Sequence, residues 1–185
     1  SVDTSDPQVM QAALDAGADI VNDVRALARP GAPGVLATHA TAGVCLMHLR
    51  GEPATMLDQA RYTDVVAEVG YELRLRLDAA LQAGIAAERI VLDPGIGFAK
   101  RAPHNLELLA RQRELLALGR PLMVGWSRKS TLGKVTGRGV SERLPASVAA
   151  AVIALERGAS ILRVHDVAAT VDAVALWCAA RPALR

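Results

Sequence analysis

The sequence predicts an α/β fold of parallel strands, with six of the eight units of a (β/α)8 TIM barrel. Short apolar runs alternate with amphipathic stretches, and the runs recur roughly every 20 to 40 residues. Nearly every run ends in a polar residue, which is typical of barrels that keep their chemistry at the carboxyl ends of the strands. The alternative is an open doubly wound sheet. That fold usually has a glycine-rich loop after its first strand, where this chain has Ser5, Asp6 and Pro7.

Composition limits the classes of protein that need to be considered. The chain has 185 residues, 51% of them hydrophobic, which suits one domain spanning residues 1–185. With 21 basic and 19 acidic residues, the net charge of +2 gives no reason to expect binding to nucleic acid or to a membrane surface. Cys45 and Cys178 lack metal or redox spacing, so we expect a cytoplasmic protein with reduced thiols.

The predicted elements alternate along the chain. The strands are predicted at residues 1–4, 19–22, 44–48, 90–93, 121–125 and 161–164. Helices are predicted from proline in a first turn and glycine after a last turn, at residues 6–17, 35–41, 63–83, 105–118, 145–156 and 166–177. A glycine-punctuated segment at residues 133–139 separates the fifth strand from the following helix.

The helix at residues 63–83 has the clearest pattern in the chain. Apolar residues recur every fourth position, at Val65, Val69, Leu73, Leu77 and Leu81. This spacing predicts a single buried stripe along the helix.

The fourth strand places an acid next to a flexible loop. Ile90, Val91 and Leu92 indicate a strand buried on both faces, which ends at Asp93 before a proline. Gly95 and Gly97 follow, and they would let the backbone approach a ligand closely. Asp93 is therefore a candidate site residue, although a strand-ending Asp that caps a turn is an equally simple interpretation.

Four polar residues at strand ends are expected to converge at one mouth of the barrel. Asp3, Asn22, Asp93 and Lys129 together suit a planar heterocycle with several donors and acceptors along one edge. A carboxylate can accept two parallel N–H bonds from an aminopyrimidine. Taken singly, Asp3 and Asn22 could be turn residues and Lys129 a solvated surface charge.

Two further positions suit anionic groups. Arg163 and His165, at the end of the sixth strand, are cationic donors of the kind that a phosphate needs. Ser130 lies where a helix is expected to begin, so its exposed N–H groups could bind a carboxylate or phosphate. Cysteine, histidine and carboxylates are not clustered at zinc spacing, and we expect no structural metal.

Six stretches, in order along the chain, resemble the dihydropteroate synthases of the pterin-binding barrel family. They are Ser1-Val2-Asp3-Thr4-Ser5, Ile20-Val21-Asn22-Asp23, Cys45-Leu46-Met47-His48, Leu92-Asp93-Pro94-Gly95-Ile96-Gly97-Phe98, Gly125-Trp126-Ser127-Arg128-Lys129-Ser130 and Arg163-Val164-His165-Asp166. The fourth and fifth stretches together are the specific part of the match. The resemblance covers the family's C-terminal three-quarters, so we expect its first two βα units to be absent from this chain. Ala99 departs from the family, which often has glycine there.

The resemblance implies a role for each candidate residue. Asp3, Asn22, Asp93 and Lys129 would hold the pterin ring, with Met47 and Phe98 lining its pocket. Arg163 and His165 would hold a diphosphate, and Ser130 would meet the carboxylate of p-aminobenzoate. The implied reaction joins p-aminobenzoate to 6-hydroxymethyl-7,8-dihydropterin diphosphate, gives dihydropteroate and releases diphosphate.

The resemblance also implies a cofactor and an assembly. Members of the family bind Mg²⁺ with the diphosphate through an Asn on their first strand, so we expect no metal ligand in this chain. A homodimer is expected, with apolar residues of the final helices at its interface. Two other functions stay open: a methyltetrahydrofolate-binding methyltransferase of the same family, and a fragment that binds pterin without catalysis.

Overall fold

A computed structural model of the chain describes residues 1–52 and 54–180. Six strands, all parallel where they pair, follow one another in chain order. They are β1 Val2–Asp3, β2 Ile20–Asp23, β3 Gly43–Met47, β4 Ile90–Asp93, β5 Met123–Val124 and β6 Ile161–Leu162. The six strands lie within the predicted stretches, apart from single-residue differences at their ends, and the α/β parallel arrangement is confirmed.

Strands β1 to β4 form one four-stranded sheet in that order, and β5 pairs with β6 in a second, two-stranded sheet. A single parallel bridge from Leu92 to Leu122 joins the two parts, with the N–H of Leu92 donating to the carbonyl of Pro121 over 3.0 Å. The register pairs Asp3 with Asn22, and Met47 with Asp93. Polar residues at the strand ends are therefore neighbours at one edge of the sheet.

Seven α-helices pack around these strands in the described residues. They are α1 Pro7–Asp15, α2 Ala32–Thr38, α3 Val65–Gln82, α4 Ala102–Ala110, α5 Ser130–Thr136, α6 Leu144–Glu156 and α7 Val167–Ala180, and short 3-10 helices lie at Met56–Gln59, Ala87–Arg89, Gln112–Leu118 and Val140–Glu142. None of the helices in residues 1–52 and 54–180 combines the length and apolar character needed to cross a membrane.

The ends of α1 and α3 follow directly from the sequence. The Asp6 carboxylate accepts from the N–H groups of Gln8 and Val9, and the Asp64 carboxylate caps α3 in the same way. Each cap satisfies N–H groups that have no partner inside the helix, which fixes where the helix begins. The predicted helices at residues 6–17 and 63–83 are confirmed to within a few residues.

One member of the predicted buried stripe of α3 is exposed. Val65, Val69, Leu73 and Leu77 are buried, but Leu81 is 40% exposed and Ala80 takes its place in the core. Four residues of an α-helix turn through about 400°, so a strict four-residue spacing drifts by about 40° at each step. After four steps the stripe has rotated away from the core.

Two predicted helices and one predicted connecting segment differ from those observed. The helix predicted at residues 35–41 begins earlier, at Ala32, because Pro33 fits its first turn. The helix predicted at residues 105–118 is α4 followed by a 3-10 helix, where buried Gln112 turns to donate hydrogen bonds to the carbonyls of Ala154 and Arg157. The glycine-punctuated segment at residues 133–139 is in part helical, since α5 extends to Thr136 before Gly137 ends it with φ +71°.

Candidate functional site

A cavity of about 400 Å³ opens at the carboxyl ends of β4, β5 and β6. Five of the predicted site residues line it: Asp93, Phe98, Lys129, Arg163 and His165. The remaining lining residues are Ile96, Gly125, Ser127 and Val164. The structure therefore brings together an acid, an aromatic ring and three basic side chains from three different strands.

Asp93 lies at the end of β4 and is 5% exposed. Its Oδ1 accepts a hydrogen bond from the N–H of Gly95 over 2.7 Å. Burial raises the pKa of Asp93, while the Gly95 N–H and the nearby charges of Lys100, Lys129 and Arg163 oppose that rise. The carboxylate is thus a buried acceptor whose ionised form depends on its basic neighbours.

Lys129 faces both Asp93 and an aromatic ring. Its Nζ lies 4.4 Å from the centroid of the Phe98 ring, within the range of a cation–π contact. Burial lowers the pKa of Lys129, the charge of Asp93 raises it, and Arg163 lowers it. Gly97 allows this approach, because a Cβ at that position would lie 3.2 Å from Cδ of Lys129.

Asn22 and Asp3 lie on the neighbouring strands β2 and β1. The Asn22 amide donates to Oδ1 of Asp3 over 2.6 Å, and Arg163 donates to Oδ2 of the same carboxylate over 2.5 Å. Oδ1 of Asn22 is buried and has no hydrogen-bond partner among the described residues. A buried acceptor without a donor is costly unless a ligand or water supplies one.

Ser127 and Arg128 organise the rim around His165. The Ser127 hydroxyl accepts from the N–H of His165 over 3.1 Å and lies 2.9 Å from its Nδ1. Arg128 has a left-handed backbone, with φ 58°, and its guanidinium donates twice to the Asp166 carboxylate, over 3.0 and 2.6 Å. These contacts tie the loop after β5 to the loop after β6, so Lys129 and His165 are positioned together.

Four predicted site residues do not line this cavity: Asp3 and Asn22, which lie on β1 and β2, and Met47 and Ser130. Met47 is 2% exposed and lines a second cavity of about 300 Å³, together with His48, Glu72 and Arg25. Ser130 is exposed as the first residue of α5. Their predicted roles stay predictions.

The structure also reveals a buried polar group that the sequence did not indicate. Lys100 is 3% exposed and contacts His48, which in turn contacts Glu72. These residues are 24 and 52 positions apart in sequence. No local spacing pattern could have connected them, and the one available signal was a lysine directly after the apolar Phe98 and Ala99.

The donor set for a divalent metal is missing from the described part of the chain. Residues 1–52 and 54–180 contain no group of three or more His, Cys, Asp or Glu side chains that could hold a metal ion. Asp3, which is near the cavity, is paired with Arg163. These residues therefore do not fit a resident Mg²⁺ site by themselves.

Comparisons with known proteins agree with this geometry. A family model described as pterin binding enzyme matches residues 1–165. The dihydropteroate synthase of Escherichia coli strain K12 is 49% identical over 176 residues, which are 94% of this chain and 61% of that protein. The chain therefore spans about three-fifths of the length of this curated relative.

Solved structures give the same result for the fold. The dihydropteroate synthase of Stenotrophomonas maltophilia with active site-bound imidazole superposes with a TM-score of 0.94 at 50% identity, covering 97% of this chain and 69% of that one. The Xanthomonas albilineans enzyme in complex with 7,8-dihydropteroate gives 0.90 at 47% identity, covering 98% and 69%. The predicted TIM-barrel fold class is confirmed, with an incomplete barrel in this chain. By sequence and by structure, this chain belongs to the pterin binding enzyme family.

Proposed function

We propose that this chain is part of a dihydropteroate synthase, which joins p-aminobenzoate to 6-hydroxymethyl-7,8-dihydropterin diphosphate and releases diphosphate. The observation that carries the proposal is the cavity in which buried Asp93 faces Lys129 above the Phe98 ring, with Arg163 and His165 beside them. The E. coli relative has this name, and the X. albilineans structure contains the product of such a reaction.

The pterin end of the substrate would be held by complementary hydrogen bonds. Asp93 presents carboxylate oxygens to the amino group and ring N–H of an aminopyrimidine, a pairing that resembles a carboxylate with a guanidinium. The unpartnered Oδ1 of Asn22 is a further acceptor for a ligand N–H. Phe98 would cover one face of the ring, and Lys129 would donate to its oxygen or nitrogen acceptors. Asp3 would contribute by orienting the Asn22 amide. The resemblance also implies that Met47 lines the pterin pocket, and Met47 is the register partner of Asp93 in β3 and β4.

The diphosphate end would meet positive charge. As the bond between the methylene carbon and the diphosphate oxygen breaks, negative charge grows on the leaving group and positive charge spreads into the pterin. Arg163 and His165 would stabilise the first charge by donating hydrogen bonds to phosphate oxygens. The arylamine nitrogen then bonds to the methylene carbon and loses one of its two protons to the released diphosphate or to solvent. The protein's contribution is therefore positioning and electrostatics, and the arylamine needs no base from the protein.

The roles of Ser130 and Mg²⁺ in this proposal come from the resemblance to the family. Ser130, at the start of α5, would meet the carboxylate of p-aminobenzoate. In the family Mg²⁺ accompanies the diphosphate, but the described residues supply no set of ligands for it, so the roles given above belong to side chains of this chain alone.

We also propose that each chain folds as a single domain and that two copies form a homodimer in the cytoplasm. Val167, Val171 and Leu176 of α7 are 59%, 57% and 71% exposed, which is an apolar surface suited to a second copy. Cys45 and Cys178 are both free thiols, as in most proteins of a reducing compartment.

The proposal is tested by two measurements on the purified chain. Diphosphate release is followed with and without p-aminobenzoate, and calorimetry measures binding of 6-hydroxymethylpterin and of diphosphate. We expect the purified chain to bind both ligands, and we expect any release of diphosphate to depend on p-aminobenzoate. A chain that binds neither pterin nor diphosphate would refute the proposal, and methyl transfer from a methylated folate would favour the methyltransferase instead.

A further inference from the structure

Lys100 is a buried ammonium group beneath the loop that follows β4. Its Nζ donates to the carbonyls of Gly95 and Phe98, over 3.1 and 2.9 Å, and lies 2.8 Å from Nδ1 of His48. An ammonium group has three N–H donors, so all three are used. Two of the acceptors lie at the two ends of the loop that carries Phe98 into the cavity.

The loop needs such support because its backbone is unusual. Gly95, Gly97 and Ala99 all have positive φ, at 68°, 80° and 49°. Gly95 packs so closely on β3 that a Cβ there would lie 2.1 Å from the carbonyl oxygen of His48. For Ala99 the left-handed conformation costs free energy, which the surrounding contacts must offset.

His48 is held as the acceptor that Lys100 requires. Its Nε2 lies 3.0 Å from the Glu72 carboxylate, and Glu72 also pairs with Arg50. Since a carboxylate only accepts, Nε2 must carry the proton, and Nδ1 is left free to accept from Lys100. Burial lowers the pKa of His48 to about 4, with Glu72 opposing and Lys100 adding to the shift, so the ring is neutral.

The charge of Lys100 also acts on Asp93. The charged groups that act on Lys100 are Asp93, Glu72, Arg50 and Lys129. Burial lowers the pKa of Lys100 to about 7, and Asp93 opposes this shift, so Lys100 carries its proton throughout the acid range in which a carboxyl group titrates. The cations that favour the ionised form of Asp93 are Lys100, Lys129 and Arg163.

We propose that Lys100 is a positioning residue of this site: its ammonium group holds the loop at residues 95–98 in place and keeps Asp93 ionised for ligand recognition. The identity of the ligand in this inference rests on the proposed function. The link between Lys100 and Asp93 does not depend on that function. Lys100 does not line the cavity, so it would affect a ligand indirectly, through its effects on Asp93 and Phe98. His48 and Glu72 hold it in place from the side of α3.

Two variants separate the charge of Lys100 from its hydrogen bonds. Lys100→Met removes both in a side chain of similar length, whereas Lys100→Gln keeps an amide donor without the charge. Lys134→Met, at an exposed lysine of α5, is the matched control. Circular dichroism establishes that each variant is folded.

The first readout needs no ligand. The carboxyl carbon of Asp93 is followed by NMR as pH falls, and both Lys100 variants should titrate at higher pH than wild type and the Lys134→Met control. The reciprocal experiment uses Asp93→Asn, in which Lys100 should lose its proton at lower pH than in wild type. If Lys100→Met does not fold, the titration of Lys100 in Asp93→Asn tests the link between the two residues. An Asp93 titration unchanged in the folded variants, or a Lys100 titration unchanged in Asp93→Asn, would overturn the inference.

The second readout is the affinity for 6-hydroxymethylpterin between pH 5 and 7.5. Both Lys100 variants should bind about tenfold more weakly at the acid end and recover towards neutral pH, because protonated Asp93 no longer accepts from the ring. A uniform loss at every pH would mean that Lys100 only supports the fold. If wild type binds no pterin while the two titrations are coupled, the proposed function fails and the link between Lys100 and Asp93 stands.

Discussion

Nη2 of Arg163 lies 2.5 Å from Oδ2 of Asp3, so residues 160 positions apart form an ion pair between the first and last strands. We predicted that Asp3 contacts the pterin and that Arg163 contacts the diphosphate. If both predictions hold, the pair couples those two parts of the site, because a diphosphate would compete with Asp3 for the same guanidinium. Both side chains are about half exposed, at 50% and 55%, so the pair itself adds little to stability.

Replacing Asp3 should therefore change the two affinities in opposite directions. In Asp3→Asn the guanidinium of Arg163 loses its anionic partner, and we expect diphosphate to bind about twofold to fivefold more tightly. Pterin should bind more weakly, because an uncharged amide carbonyl is a weaker acceptor than a carboxylate for the Asn22 amide that it orients. Calorimetry with each ligand measures both effects, and Asp172→Asn, at an exposed carboxylate of α7, is the control. Weaker diphosphate binding would mean that Asp3 is not a competitor.

Asp93→Asn should abolish most of the pterin affinity. The amide presents an N–H₂ group to a ring edge that is itself a donor, and the loss of a buried charge-assisted pair costs about 2–4 kcal/mol of binding free energy. Folding should tolerate the change, since the Asn carbonyl can still accept from the N–H of Gly95. Equal pterin affinities for the two proteins would remove Asp93 from the site.

The local parts of this structure could be predicted because their causes are local. The caps at Asp6 and Asp64 and the apolar spacing of α3 lie within a few residues of what they determine. The convergence of Asp93, Lys129 and Arg163 followed from one rule, that parallel strands end at the same edge.

The parts that could not be predicted depend on tertiary contacts. Gln112, the first residue of the 3-10 helix that follows α4, donates to carbonyls 42 and 45 residues away. Lys100 is buried because His48 and the carbonyls of its own loop are close enough to satisfy it. A lysine in a glycine-containing loop would otherwise be expected at the surface.

Ser127→Ala should weaken diphosphate binding without affecting pterin. Ser127 is 5% exposed, and its hydroxyl contacts both the backbone N–H and Nδ1 of His165. Removing it frees the imidazole to rotate, and we expect diphosphate affinity to fall about threefold to tenfold, in line with one lost hydrogen bond. Competition binding with each ligand would show the difference. The exposed Ser160→Ala is the control, and a parallel loss of pterin affinity would indicate a general disturbance of the cavity.

His48 should make the protein sensitive to acid. Burial lowers its pKa from 6.5 to about 4, so between these values the unfolded chain binds a proton that the folded chain does not. The contribution of His48 to stability is thus fully present above pH 6.5 and falls by about 1.4 kcal/mol per pH unit as pH drops towards 4.

The variant His48→Gln tests this titration directly. Its amide can accept from Lys100 or donate to Glu72, but it does not titrate. Urea unfolding at several pH values should therefore show a smaller decline in the free energy of unfolding between pH 6.5 and about 4.5 for the variant than for wild type. Burial raises the pKa of Glu72, but hydrogen bonds from His48 and Arg50 outweigh burial and hold it at about 2, so wild type also loses stability below pH 4.5 as the unfolded carboxylate takes up its proton first. The two proteins are therefore compared above that pH. Parallel curves above that pH would show that His48 is not the group responsible, because a residue that cannot titrate cannot produce the slope.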